Sequence, residues 1–116
     1  MTFELFKNMM SFETKGNLCI EIFFKVHGSS KFNSCWMGKL PSKATKEDVF
    51  WYGLTPDGKN AYDYSTFEAF SSAEIFDGKS LIAIWNNVSI IDINGCDPAD
   101  MIEMYLSDNG SLEAPQ

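Results

Sequence analysis

The segment LCIEIFFKV, residues 18–26, decides the fold because an apolar residue stands at every second position. These residues are Leu18, Ile20, Ile22, Phe24 and Val26. A period of two places such side chains on one face of a β-strand. Residues 27–33 contain Gly28-Ser29-Ser30 and favour a turn, so we expect residues 34–40 to return beside the first strand as a hairpin.

Two more strands are predicted after a polar connector at residues 41–48. In residues 49–54, Phe50 and Tyr52 face opposite to Trp51 because neighbouring side chains alternate along a strand. Residues 55–58, Thr-Pro-Asp-Gly, favour a turn since Pro presets φ and Asp-Gly tolerates the left-handed conformation. Residues 61–64 are then expected to pair back as a short fourth strand.

The spacing of apolar residues and the capping signals predict four helices. Near the N-terminus, Phe3, Phe6 and Met10 share one helical face. Ser65-Thr66-Phe67-Glu68 is a Ser-x-x-Glu capping box that predicts a second helix to about residue 73. A third helix is expected over about 80–87. The Asp97-Pro98 pair then marks the start of a fourth, with Asp as N-cap and Pro in the first turn, and this helix is expected to end near residue 107.

Residues 88–93 are apolar on both faces and predict a strand inside the sheet, closed by a turn at Asn94-Gly95. The predicted order is α-β-β-β-β-α-α-β-α. This order indicates an α+β fold with a small, mostly antiparallel or mixed sheet of about four to five strands packed against helices. We expect residues 1–106 to form one domain and residues 107–116 to form a flexible C-terminal tail.

The charge of the 116-residue chain is −7 and is unevenly distributed. Residues 1–46 hold seven Lys against three Glu, which gives +4, whereas residues 47–116 hold two Lys against thirteen carboxylates, which gives −11. All nine cations are Lys, so the chain lacks the bidentate Arg fork that proteins favour for phosphate and guanine recognition. Nucleic acid is therefore excluded as an expected partner.

The compartment is predicted from the N-terminus and the cysteines. Residues 1–12 lack the basic start and apolar run of a signal peptide, and no apolar stretch approaches the length of a membrane span. Cys19, Cys35 and Cys96 form no CxxC spacing, so neither a disulfide framework nor a zinc site is indicated. We expect a cytoplasmic protein with no membrane partner and no cofactor.

Candidate catalytic and metal-binding groups are few. His27 is the sole imidazole, so any Cys–His pair has to use it, and no nucleophile motif surrounds a cysteine. The residues Asp92, Asn94, Asp97 and Asp100 lie close together around a turn and are a calcium candidate. The alternative is that these aspartates only cap a helix and end a strand. No catalytic site is predicted, and an enzyme is the less favoured class.

Aromatic residues are concentrated around the third and fourth strands. They form either a second small core under the N-terminal helix or an exposed aromatic patch, which is typical of an interface. The candidate binding residues are Trp51, Tyr52, Asp57, Tyr62, Asp63 and Tyr64. We therefore expect a small acidic non-enzymatic protein-binding domain, such as an inhibitor, an immunity-like protein or an adaptor, that engages a basic protein partner. The alternatives are a structural or assembly subunit that forms a homodimer or larger homo-oligomer, and a small enzyme or ligand-binding domain with a pocket between sheet and helices.

Overall fold

A computed structural model of the chain describes residues 1–11, 19–40, 49–55 and 61–108. Five strands form one antiparallel sheet: β1 (Ile20–Val26), β2 (Cys35–Leu40), β3 (Val49–Gly53), β4 (Ala61–Tyr64) and β5 (Val88–Ile93). In the described residues the helices are α1 (Phe3–Ser11), α2 (Phe67–Ser72), α3 (Leu81–Ile84), which continues into a 3₁₀ turn at Trp85–Asn87, and α4 (Pro98–Asp108). The fold is α+β, as the order of elements predicts.

The strand order in the sheet is β4-β3-β2-β1-β5. The first four strands form a meander, because each pairs with the strand that follows it in the chain. The fifth strand pairs with β1 and thereby extends the opposite edge. Both hairpin pairings that residues 18–64 predict, β1 with β2 and β3 with β4, are present in the structure, and β2 also pairs with β3.

The two faces of the sheet differ in character. On the inner face, Ile22, Met37 and Tyr52 stand side by side across β1, β2 and β3, and all three are buried. On the outer face, Glu21 and Lys25 of β1 are exposed while Phe23 between them is half-buried. The alternation of residues 20–26 therefore separates a core from a surface, as its period of two predicts.

The helices pack on the inner face through a cluster of aromatic rings. Phe67 of α2 contacts Phe50 with 5.9 Å between ring centroids. Phe70, also of α2, stacks on Tyr52 with centroids 4.1 Å apart and ring planes 9° apart. The Tyr52 hydroxyl donates a hydrogen bond of 2.7 Å to the Phe70 carbonyl, so the one polar atom of this buried ring is satisfied.

The first helix joins the same core. Phe6 and Met10, which the spacing of residues 3–10 places on one face, are both fully buried. The Phe6 ring lies 5.9 Å from Phe67 and 4.7 Å from Trp85, measured between centroids. Helix α1 is thus fixed by apolar burial, which stabilises short helices more than intrinsic propensity does.

Two sequence predictions are corrected in detail. The second helix is capped by Thr66, whose Oγ1 accepts from the Ala69 amide, and not by Ser65. Strand β5 lies at an edge of the sheet and not inside it. Its apolar residues are explained by packing of Val88 and Ile90 against the core and by a bulge between Ile90 and Asp92, which leaves Ile91 40% exposed.

The remaining predicted elements agree with the structure or lie outside its described part. Ser80 caps α3 by accepting from the Ala83 amide, and Asp97 accepts from the Ala99 amide at the start of α4. The connector at 41–48 and residues 56–58 of the predicted turn lie outside the described residues. Of the predicted tail, residues 107–108 belong to α4 and residues 109–116 are outside the described range.

Among the described residues, none of the helices has the length and apolar character needed to span a lipid bilayer.

Candidate functional site

The outer face of the sheet carries two cross-strand rows of side chains. We call the first the Trp51 row; it contains Glu21, Gly38, Trp51 and Asp63, one each from β1, β2, β3 and β4. We call the second the Trp36 row; it contains Asp92, Phe23, Trp36, Gly53 and Ala61, from β5 to β4. Each row therefore combines an indole and a glycine with carboxylates, two in the Trp51 row and one in the Trp36 row.

In the Trp51 row, the indole ring of Trp51 lies over Gly38 on the neighbouring strand. A Cβ atom built on Gly38 would stand 2.7 Å from Cζ2 and 2.9 Å from Cε2 of Trp51, closer than real atoms approach. The missing side chain of Gly38 is thus what lets the ring reach from β3 across β2 towards β1.

In the Trp36 row, the indole leans in the same direction. The ring centroids of Trp36 and Phe23 are 4.8 Å apart at an interplanar angle of 44°. Gly53 stands beside Trp36 on β3, and there a Cβ would meet only the Trp36 Cβ at 3.9 Å. The rings of Phe23, Trp36 and Trp51 are all half-buried, so each presents part of its surface to solvent. Together they form the outer-face aromatic patch.

Carboxylates border the outer-face aromatic patch on both sides. Glu21 and Asp63 are exposed at the two ends of the Trp51 row, and half-buried Asp92 ends the Trp36 row. Lys25 is the only cation that the described strands direct to this face. The described part of the face therefore carries three carboxylates and one ammonium group, a net charge of −2.

The structure separates the six residues that the sequence suggests for binding. Trp51 and Asp63 are direct cross-strand partners on the outer face. Tyr52 is 1% exposed and belongs to the inner core, where burial raises the pKa of its hydroxyl above the ordinary value. Asp57 lies outside the described residues.

The other two residues stand on the inner side of the edge strand. Tyr64 pairs with Phe50, and its ring lies 6.1 Å from Tyr52, measured between centroids. The pKa of Tyr64 is raised by desolvation and by the neighbouring Tyr62. Tyr62 pairs with Tyr52 but remains 37% exposed because β4 is the edge strand. Only Trp51 and Asp63 therefore share the outer face.

The sequence analysis did not select Glu21, Phe23 or Trp36, and it considered Asp92 only as a calcium ligand and not for protein binding. The alternation of residues 18–26 already places Glu21 and Phe23 on one face, opposite the core. Joining that face to Trp36 and Trp51 requires the hairpin register, since a slip of one residue turns every side chain of a strand over. The register follows from the structure and not from local pattern.

The calcium candidate is not assembled in the described residues, which contain no group of three or more His, Cys, Asp or Glu that could hold a metal ion. Asn94 is used structurally: its Oδ1 accepts from the Glu21 amide at 2.8 Å and its Nδ2 donates to the Cys19 carbonyl at 3.3 Å. Asp97 accepts from the Ala99 amide at 2.9 Å. The Asp97 contact is the helix cap of the alternative interpretation, whereas Asn94 joins the end of β5 to the backbone at the start of β1.

The cysteines differ in exposure. Cys35 is fully buried, and its Sγ donates to the Leu54 carbonyl at 3.5 Å. Desolvation raises the pKa of this thiol to about 11, which keeps it protonated and unreactive at neutral pH. Cys19 and Cys96 are exposed free thiols.

Two clefts lie away from the outer face. One of about 370 Å³ is lined by mainly apolar side chains between α4 and β5, with Trp85 and Ser89 among them. The other, of about 290 Å³, lies between α1 and α2 and is bordered by Lys7 and Glu68. Within the described part of the chain, neither lining includes a cysteine or a histidine, so neither offers the nucleophile and base of cysteine catalysis.

Comparison of the chain with protein-family models, with curated proteins and with solved structures finds no match. Function is therefore inferred from the outer face itself.

Proposed function

We propose that this protein is a non-enzymatic binding domain, of the inhibitor, immunity-like or adaptor kind, whose outer sheet face engages a basic protein partner. One observation carries the proposal: three partly exposed aromatic rings lie among three carboxylates on the sheet face opposite to the helix-packed core. The proposed class is therefore a protein that binds another protein, and not an enzyme.

The aromatic rings supply the apolar contact area of such an interface. Trp is the residue most enriched among the side chains that carry binding energy, and Trp36 and Trp51 stand on neighbouring strands of this face. Gly38 and Gly53 beside them have no side chains, so neither residue shields the rings from a partner. An aromatic centre with a polar rim is the usual anatomy of a protein interface.

The carboxylates supply selectivity and speed. Glu21, Asp63 and Asp92 surround the rings, and the chain as a whole carries −7. Complementary charge accelerates association and disfavours acidic partners. An RNA or DNA strand would meet like charges here, and the chain has no Arg to offset them.

The test uses a defined probe, the decapeptide (Gly-Lys)₅, and isothermal titration with the full chain. We expect affinity to fall as NaCl rises from 20 to about 200 mM, because exposed ion pairs are screened. The E21Q/D63N double variant should bind about tenfold more weakly, since each exposed ion pair contributes up to about 1 kcal/mol.

The matched control is E74Q/E103Q, which changes the net charge equally at two exposed residues off the outer face. It should alter the affinity less than about twofold, since those charges only screen the probe at a distance. Equal weakening by both double variants, or salt-independent binding, would contradict the proposal. Light scattering of the free chain tests a second outcome. If the chain is a dimer and E21Q/D63N is a monomer, the outer face binds a second copy of the chain instead of a basic partner.

A further inference from the structure

We infer that the Trp51 row is a seat for the guanidinium group of one arginine side chain of the partner. This inference rests on the proposed function and specifies the chemistry of the same face. It concerns the four residues Glu21, Gly38, Trp51 and Asp63, which stand in one line across four strands.

The two carboxylates of the Trp51 row stand on opposite sides of Trp51. Asp63 is the direct cross-strand partner of Trp51, so their Cβ atoms are about 5 Å apart. Glu21 is two strands away on the other side, about 10 Å along the row. The ring of Trp51 lies over Gly38 and so fills the space between them. A cation on this indole is therefore within reach of an acidic side chain from either end.

The Trp51 row is accessible to solvent. Glu21 and Asp63 are exposed and Trp51 is half-buried, so both the acids and part of the ring face solvent. Asn94 accepts from the backbone amide of Glu21 and donates to the carbonyl of Cys19, so the backbone of Glu21 is held while its side chain stays outside. Among described residues, the nearest outer-face cation is Lys25, which lies two rows away on β1.

The shape of the Trp51 row favours a guanidinium group over an ammonium group. A guanidinium is planar, stacks on an indole and still directs N–H groups sideways to carboxylates. An ammonium is compact and strongly hydrated, so it cannot cover the ring and satisfy acids on both sides at once. A row with one indole between two carboxylates therefore fits arginine better than lysine. Among the described residues, Trp36 lies against Phe23 in the neighbouring row, which does not give the Trp51 indole the cage of several rings that favours methylated ammonium.

The experiment titrates the ¹⁵N-labelled full chain with ethylguanidinium chloride and follows the Trp indole N–H signals by NMR. The W51F variant assigns the Trp51 signal. Ethylammonium chloride and urea are titrated in parallel, as a cation of different shape and as a planar neutral molecule.

We expect ethylguanidinium to shift the Trp51 signal in a saturable manner. Its dissociation constant should be at least about threefold lower than that of ethylammonium, a difference within the range of one stacked cation. The Trp85 signal is the internal control and should stay unmoved, since that indole lies off the outer face and donates to the Met1 carbonyl at 3.2 Å. E21Q and D63N should each weaken the response to ethylguanidinium, and E74Q should not.

Equal responses to ethylguanidinium and ethylammonium, or a response that E21Q and D63N leave unchanged, would overturn the inference. So would a linear, unsaturable shift equal to that with urea. A second comparison separates this failure from failure of the proposed function. If (Gly-Lys)₅ and (Gly-Arg)₅ bind the outer face equally well, only the arginine seat is wrong. If neither peptide binds there, the proposed function is wrong as well.

Discussion

Gly38 is the residue on which the geometry of the outer face depends most directly. A Cβ at this position would collide with the carbonyl oxygen of Ile20 on one strand and with the Trp51 ring from the other. Gly53 lies on the same face, yet a Cβ there would make one ordinary contact of 3.9 Å. Two glycines of one sheet face thus have different reasons to be glycine, and only one of them is sterically required.

The first prediction compares these two glycines. G38A should lower the free energy of unfolding by about 3 kcal/mol, because a clash with backbone forces strand β1 or β2 to move. G53A is the matched control and should be neutral or stabilise by about 0.5 kcal/mol, since alanine reduces the entropy of the unfolded chain. Urea unfolding followed by circular dichroism measures both. Equal effects of the two substitutions would show that Gly38 is not under steric constraint.

At the residue scale, the sequence pattern predicted which face of a strand a side chain lies on, but not which side chains of different strands lie together. The opposition of Trp51 to Phe50 and Tyr52 follows from alternation alone and is confirmed. The choice of Tyr52 as a surface residue ignored that same alternation, because it selected aromatic residues by proximity in the chain. Trp36 belongs to the outer-face aromatic patch by register, which depends on pairing between distant segments.

At the scale of elements, two turns share one backbone design. Asp77-Gly78 and Asn94-Gly95 both have positive φ at each residue, 54° and 84° in the first and 54° and 78° in the second. Such pairs form the two-residue turns that reverse a chain tightly, and Asx-Gly is their preferred sequence. In each turn the flanking residues exchange two backbone hydrogen bonds, between Phe76 and Lys79 and between Ile93 and Cys96. The turns differ in what their first side chain does.

The second prediction separates these two side chains while sparing the backbone. N94G should destabilise the protein by about 2 kcal/mol, since it removes hydrogen bonds to the Glu21 amide and the Cys19 carbonyl. D77G should cost about 0.5 kcal/mol or less, because its ion pair with Lys31 joins two groups more than 60% exposed. Thermal or urea unfolding gives both values. A larger loss for D77G would refute the structural role assigned to Asn94.

Element identity was predictable, whereas element position was predictable only in part. Capping signals located the starts of α3 and α4. At α2 the cap fell on Thr66 and not on Ser65, because both residues can cap and the local sequence does not choose between them. The edge position of β5 could not be predicted, since an apolar strand at an edge covered by a helix has the same composition as a central one.

At the scale of the whole molecule, burial in the inner layer keeps one thiol and one phenol protonated. Burial raises the pKa of Cys35 to about 11 and also raises the pKa of Tyr52, and both side chains stand on the inner face. In the unfolded chain the thiol has a pKa of about 8.5. Above that pH the unfolded state loses a proton that the folded state retains, so folding becomes less favourable.

The third prediction is that the free energy of unfolding decreases as the pH rises above the pKa of the unfolded thiol. Stability should be constant from pH 7 to about 8.5 and then fall by about 1.4 kcal/mol per pH unit, so that the thiol accounts for a loss of about 3 kcal/mol near pH 11. Above about pH 10, ionisation of Tyr52 in the unfolded chain adds to this loss. In C35A the loss should begin only near pH 10, where unfolded tyrosine ionises. Urea titrations at pH 7, 8.5, 9.5 and 10.5 measure both. Identical profiles of wild type and C35A between pH 8.5 and 9.5 would exclude a contribution from the thiol.

The pairing of the last strand with the first has a consequence for how the chain loses its freedom. The pairing of Phe24 with Cys35 closes a separation of 11 residues, 35 minus 24, whereas the pairing of Val26 with Val88 closes one of 62, 88 minus 26. The longer closure costs about 1.5 kcal/mol more in chain entropy if the intervening segment is free. That difference shrinks once α2 and α3 are docked, because ordered helices shorten the free loop. Docking of the helical layer therefore favours formation of the β1–β5 ladder, although the ladder's own hydrogen bonds join only strands.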